Sequence, residues 1–140
     1  MRKKYFILVF CFFVIGIEQI IADDITVSIE IRGATINGGI VHGAIYSNSD
    51  GYRRLAHDFY FQGNPLNDVL VINMQMPAGE YVVSVYQDTN NNGKLDFGLF
   101  GIPKEPVGIT NYNGRGIPGN FDRLKVRVNN GSIINVQINH

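Results

Sequence analysis

The chain has a single cysteine, no tryptophan, no run of like charge long enough to act as a tail and no segment with sustained helical spacing. Each absence narrows what it can be. Cys11 stands alone, so no intrachain disulfide can form, and a thiolate metal centre or a cysteine nucleophile in the body of the chain is excluded. Lys plus Arg and Asp plus Glu each number 12, which provides no basic field for nucleic acid or anionic lipid and no charged tail. Nucleic acid is therefore not an expected partner. Without a 3.6-residue apolar period, the fold has to be built from strands.

What is present begins with an export signal. Met1-Arg2-Lys3-Lys4-Tyr5 forms a basic segment, Phe6 to Ile17 an uninterrupted apolar one, and Glu18 to Ala22 a short stretch ending in a small residue. The apolar run falls short of the roughly 20 residues of a spanning helix. It predicts a cleavable signal over residues 1–22, cut after Ala22, and no membrane insertion after its removal. Phe10 precedes Cys11 where a lipoprotein needs a small residue, so no lipid is expected there. Removing 1–22 takes away Arg2, Lys3, Lys4 and Glu18 and leaves 9 basic and 11 acidic residues in one domain, 23–140. That length can bury a core without covalent staples. The expected location is periplasmic or secreted.

The period in the body of the chain is two. Ile25, Val27, Ile29 and Ile31 alternate with Thr26, Ser28, Glu30 and Arg32, a strand with one buried face. Ile40 to Tyr46 predicts a second strand, joined to the first through a hairpin loop, Gly33 to Gly39, and ended by Ser47-Asn48-Ser49-Asp50-Gly51. Phe59 to Phe61 suggests an edge strand, Val69 to Met74 another strand closed by Pro77-Ala78-Gly79, and Tyr81 to Tyr86 a central one. Leu124 to Val128 and Ile133 to Asn139 flank Asn129-Asn130-Gly131, a hairpin signal. Between Gln87 and Phe121 there is no period but much Gly, Asn and Pro, a connection far longer than compact domains usually carry. The expected fold is all-β, an antiparallel sandwich of about seven strands with one long loop.

That loop opens with Asp88-Thr89-Asn90-Asn91-Asn92-Gly93-Lys94-Leu95-Asp96, which puts oxygen-bearing side chains at positions 1, 3, 5 and 9 and glycine at 6, the offsets of a calcium loop. A hard cation takes six to eight oxygens, and alternate residues of a tight turn point inward. Asp88, Asn90, Asn92 and Asp96 supply side-chain oxygens and Lys94 its carbonyl. Position 12 is Leu99, so the bidentate glutamate of an EF-hand is missing and the loop leaves a strand. Glu105 is the replacement, on a return path fixed by Pro103. Such a set predicts structural Ca2+ at roughly 10⁻⁴ to 10⁻³ M. The alternative is a plain asparagine-rich turn, since Asn-Gly and Asx side chains bond their own backbone.

His42, His57 and His140 are too scattered for a zinc site, and His57-Asp58 lacks a positioned serine, so no hydrolase is expected. Aromatics gather around the irregular segments: Tyr52, Phe59, Tyr60 and Phe61 in one, and Phe97, Phe100, Tyr112 and Phe121 in the other. They either line a ligand face or plug the ends of the sandwich.

Met76-Pro77-Ala78-Gly79-Glu80-Tyr81 running into Asp88, Asn90, Asn92, Gly93, Leu95 and Asp96, then Gly101-Ile102-Pro103-Lys104-Glu105-Pro106-Val107-Gly108 and Ile117-Pro118-Gly119-Asn120-Phe121-Asp122, resembles a family of small secreted bacterial proteins of unknown function. The Pro-Ala-Gly-x-Tyr turn is also similar to that of transthyretin-like and carboxypeptidase-regulatory-like sandwiches. Asn111-Tyr112 departs from the Phe-Ser-Asn of similar proteins. The resemblance implies an immunoglobulin-like or prealbumin-like sandwich outside the cytoplasm and implies no reaction. The expected function is a non-enzymatic exported module whose Ca2+ loop orders a surface for a protein or envelope partner. A soluble small-ligand or carbohydrate-binding protein is the alternative.

Overall fold

The computed structural model describes residues 23–140. The expected export signal, with Cys11 and the expected cut after Ala22, lies outside the described residues. The rest is an all-β sandwich of two sheets. Strands β1 (Asp24–Arg32), β4 (Val69–Pro77) and β8 (Ile133–Gln137) make one, in the order β4-β1-β8. The other runs β3 (Phe59–Gly63), β2 (Ile40–Tyr46), β5 (Gly79–Asp88) and β6 (Val107–Ile109), and β7 (Val126–Val128) pairs with the first residues of β5.

The alternation read from β1 sets the first sheet. Val27, Ile29 and Ile31 are buried between the sheets, as are Ile134, Val136 and Ile138, and Thr26 and Arg32 face water. Each such side chain contributes about 1.5–3 kcal/mol by leaving water. Val41 and Ile45 of β2 and Tyr81, Val83 and Val85 of β5 meet them from the second sheet. The remaining face of that sheet is covered too. Val82 and Tyr46 pack with Ile109, Phe121 and Leu124 in a second cluster. Being buried on both faces and paired on both edges, β5 is the central strand its β-branched and aromatic run suggested.

Four expectations change. The 33–39 connection is no hairpin, because β1 pairs with β4 and β8 whereas β2 pairs with β3 and β5, so the chain crosses between sheets there. Asn129-Asn130-Gly131 likewise joins β7 in one sheet to β8 in the other. Pairing is antiparallel except for β1 with β8, which run parallel from Ser28↔Ile133 to Arg32↔Gln137. Leu124 closes a short helix, α2 (Phe121–Leu124), because Asn120 caps the N–H of Arg123 and turns the chain before β7 begins. A matching helix, α1 (Ser49–Arg54), starts at Asn48, whose side chain accepts from Gly51 N–H at 2.8 Å. Within the long irregular stretch lies β6, bringing the strands to eight. Among the described residues no helix is long and apolar enough to cross a membrane.

Candidate functional site

Strand β5 delivers the loop. Its odd residues face the sandwich, so its even ones, ending in Asp88, face the other way. At Gly39, φ is +114°, and a side-chain carbon would collide with the Asp88 carbonyl oxygen, so only glycine lets β2 begin this close. Gln87, on the sandwich face, fixes the same corner by accepting from Thr35 N–H at 2.8 Å and donating to the Thr35 carbonyl at 2.7 Å.

The loop then folds around its own side chains. Asp88 Oδ1 accepts from Asn92 N–H at 3.1 Å and Oδ2 from Gly93 N–H at 2.7 Å, with Gly93 at φ +78°. Asn90 Oδ1 takes the Asn92 N–H and Asn92 Oδ1 the Lys94 N–H, two successive Asx turns. Their amide nitrogens converge: Asn90 Nδ2 and Asn92 Nδ2 both donate to Asp96 Oδ2, at 2.7 and 2.6 Å. Glu105 is buried against the loop, Oε1 accepting from Thr89 N–H at 3.0 Å and Oε2 from Asp96 N–H at 3.1 Å. It thus clasps both ends of the 89–96 segment. Asp88, Asn90, Asn92, Lys94, Asp96 and Glu105 therefore lie in one network, Lys94 through its backbone.

The donor set is made of hard oxygens, which suits a cation such as Ca2+. Among the described residues, however, no three His, Cys, Asp or Glu side chains gather into a metal-holding group. Asp88, Asp96 and Glu105 do not form a carboxylate triad, so amide and carbonyl oxygens would have to complete any shell. Asp88 and Asp96 are held as anions. Burial pushes the Asp88 carboxyl up, but the N–H groups of Gly93, Asn92 and Asn91 and the nearby His42 outweigh it, and the group lies below the ordinary carboxylate range. Asp96 is lowered by the Asn90 amide, against burial, with help from Asn92, Lys94 and Lys104. The Tyr86 hydroxyl is raised by burial and then by Asp88, Tyr60, Glu105 and Asp96.

His42 belongs here and was invisible in the sequence as a lone strand histidine. Register places it opposite Tyr86, on which its ring stacks at 5.0 Å between centroids. Its Nδ1 lies 2.5 Å from Tyr60 Oη and its buried Nε2 is 3.7 Å from Asp88 Oδ2, with no hydrogen-bond partner. His57 lies beside Tyr60, and Asp58 accepts from the Ser47 N–H.

Beyond Asp96 the chain makes a projecting hairpin. Lys104 N–H donates to the Asp96 carbonyl, Phe97 bridges to Pro103, and Gly98 N–H donates to Ile102. Its tip, Leu99–Gly101, turns through Phe100 at φ +62° and Gly101 at φ +71°. Phe100 is 98 % exposed and Leu99 83 %. Between this hairpin and residues 112–118 opens a cleft of about 1050 Å³, with Val107, Asn139 and His140 also in its lining. Of the expected aromatics, Phe61 and Phe121 are core, Tyr52 and Tyr112 pack on the second cluster, and Phe97 and Phe100 line the cleft.

Comparison with curated proteins and with solved structures finds no match. Over residues 29–135 the sequence matches the model of a family described as uncharacterized protein conserved in bacteria (DUF2141), and the chain belongs to that bacterial family.

Proposed function

We propose that this protein is an exported, non-enzymatic sandwich module whose 88–105 loop holds Ca2+ in a structural role and so orders the neighbouring hairpin for contact with a protein or envelope partner. The supporting observation is the Glu105 clasp. One buried carboxylate ties Thr89 and Asp96, the two ends of the oxygen-rich turn, to the base of a hairpin that carries the most exposed apolar side chains of the loop. Whatever fixes the turn therefore fixes the hairpin.

Asp88, Asn90, Asn92 and Asp96 would hold the ion through side-chain oxygens, Lys94 through its carbonyl, and Glu105 through the lone pairs its two N–H partners leave free. A bound Ca2+ supplies a compact positive charge that these oxygens share. The chain's own part is to keep Asp88 and Asp96 ionised, which the backbone N–H groups on Asp88 and the amides on Asp96 do, and to hold Glu105 against the ends of the turn. The kinship to immunoglobulin-like and prealbumin-like sandwiches is part of the same reading, supported by the Pro77-Ala78-Gly79 turn that feeds β5.

The test is thermal unfolding of the 23–140 chain in millimolar Ca2+ and in chelator. With a dissociation constant of about 10⁻⁴ M and about 10 mM Ca2+, mass action adds about 2.7 kcal/mol, a rise of several degrees in Tm. Asp96→Asn should lose most of that rise. An identical Tm in Ca2+ and chelator would rule the cation out.

A further inference from the structure

The cleft beside the hairpin has a composition that selects its occupant. Its walls are apolar: Phe97, Phe100 and Ile102 on the hairpin, Val107 on β6, Ile117 and Pro118 across from them. Ile117 is 92 % exposed and Phe100 98 %, so two large apolar side chains of the lining stand in water. A volume of about 1050 Å³ lies at the upper end of small-molecule sites, roughly 300–1,000 Å³.

Much of the polar capacity of the lining is already committed. Tyr112 Oη donates to the Gly116 carbonyl at 2.6 Å, and Asn139 Nδ2 to the Gln137 carbonyl at 3.1 Å. His140 Nε2 is 2.8 Å from the Gly33 carbonyl, and both Glu105 oxygens accept backbone N–H groups. Lys104 is exposed and, among the described residues, has no ion pair or side-chain hydrogen bond, its charge acting on Asp96 only at longer range; its stem passes over Gly98, next to the hairpin tip. A sugar, with hydroxyls all round, would find only the Asn139 Oδ1, the His140 Nδ1, the Tyr112 Oη lone pairs and the Lys104 ammonium, few partners for the apolar area around them. A molecule with one anionic group and an aliphatic body would find a free ammonium and an apolar trough.

We infer that the cleft binds a single-chain anionic amphiphile of the fatty-acid class, its tail between Phe100, Ile102 and Ile117 and its carboxylate on Lys104. This deepens the reading of the hairpin end as a binding surface and rests on it, but the side chains that would hold the amphiphile, Phe100, Ile102, Lys104 and Ile117, are distinct from those that would hold Ca2+, so the two can fail separately.

Isothermal titration of the 23–140 chain with monomeric dodecanoate, and with dodecanol as its uncharged counterpart, tests it in Ca2+ and again in chelator. One saturable site for dodecanoate is expected. Lys104→Met should weaken dodecanoate about tenfold, the scale of a lost charged hydrogen bond, and leave dodecanol unchanged. Ile117→Ser should weaken both by about tenfold, the scale of losing one buried aliphatic side chain. Absence of a saturable site overturns the inference, as does a site that Lys104→Met leaves intact. Sedimentation with phosphatidylglycerol vesicles but no binding of the monomer would assign the face to a lipid surface instead. A concentration-dependent dimer abolished by Ile117→Ser would assign it to a second copy. Tm and titration on one sample keep the two readings apart: a Ca2+-dependent Tm with no dodecanoate site sinks the cleft alone, and a dodecanoate site with a Ca2+-blind Tm sinks the ion alone.

Discussion

Asp88 and Asp96 show how a few residues set a loop's chemistry. Both carboxyls sit below their ordinary range in the folded chain, so the unfolded chain binds their protons more readily. Stability from these groups is complete above the unfolded value near 3.8 and is lost as the pH falls through the lower folded values. Urea unfolding between pH 2 and pH 5 should therefore show a steep acid limb that flattens in Asp88→Asn. An unchanged limb in that variant would mean that Asp88 binds protons alike in both states. The oxygen spacing of this loop was legible because Asx residues and a glycine at fixed offsets act within a few residues of one another. His42 and Lys104 were not. Their surroundings come from strand register and from a hairpin returning to Asp96, and neither leaves a mark near the residue in the chain.

Elements were legible where a single face was buried. The strict alternation of β1 and β8 located both, and Ile40–Tyr46 is β2 as expected. Short pieces hid. Only three residues of β6 separate Pro106 from the Thr110 turn, too few for a period to show, and Leu124 looked like strand because its helix is a single turn. Turn chemistry misled in a different way: Asn-Gly sequences mark reversal of the chain and do not say whether the next strand stays in the same sheet. Between β2 and β3 the packing leaves no slack. Gly43 and Phe61 are register partners, and the Phe61 ring lies where a Gly43 side chain would be. Gly43→Ala should cost about 1–3 kcal/mol by overpacking, read from the urea midpoint, with the β3 edge disturbed first. A cost near zero would show that Phe61 has room to turn aside.

At the scale of the whole molecule, the two sheets and the second cluster account for a stable domain that needs no disulfide, which suits a chain with its only cysteine at position 11. The export reading makes a direct prediction. Protein recovered from the periplasm or medium of an expressing bacterium should have a mass lacking residues 1–22, and a mass that still includes Met1 would count against cleavage. The parallel pairing of β1 with β8 bears on when such a chain can fold. Ser28 and Ile133 are neighbours in the sheet yet more than a hundred residues apart, so the middle strand of the three-stranded sheet stays half-paired until almost the last residue is available. Contacts of that span make folding slow and late. A chain that crosses a membrane N-terminus first would keep this sheet open throughout its passage, and would close it only on the far side.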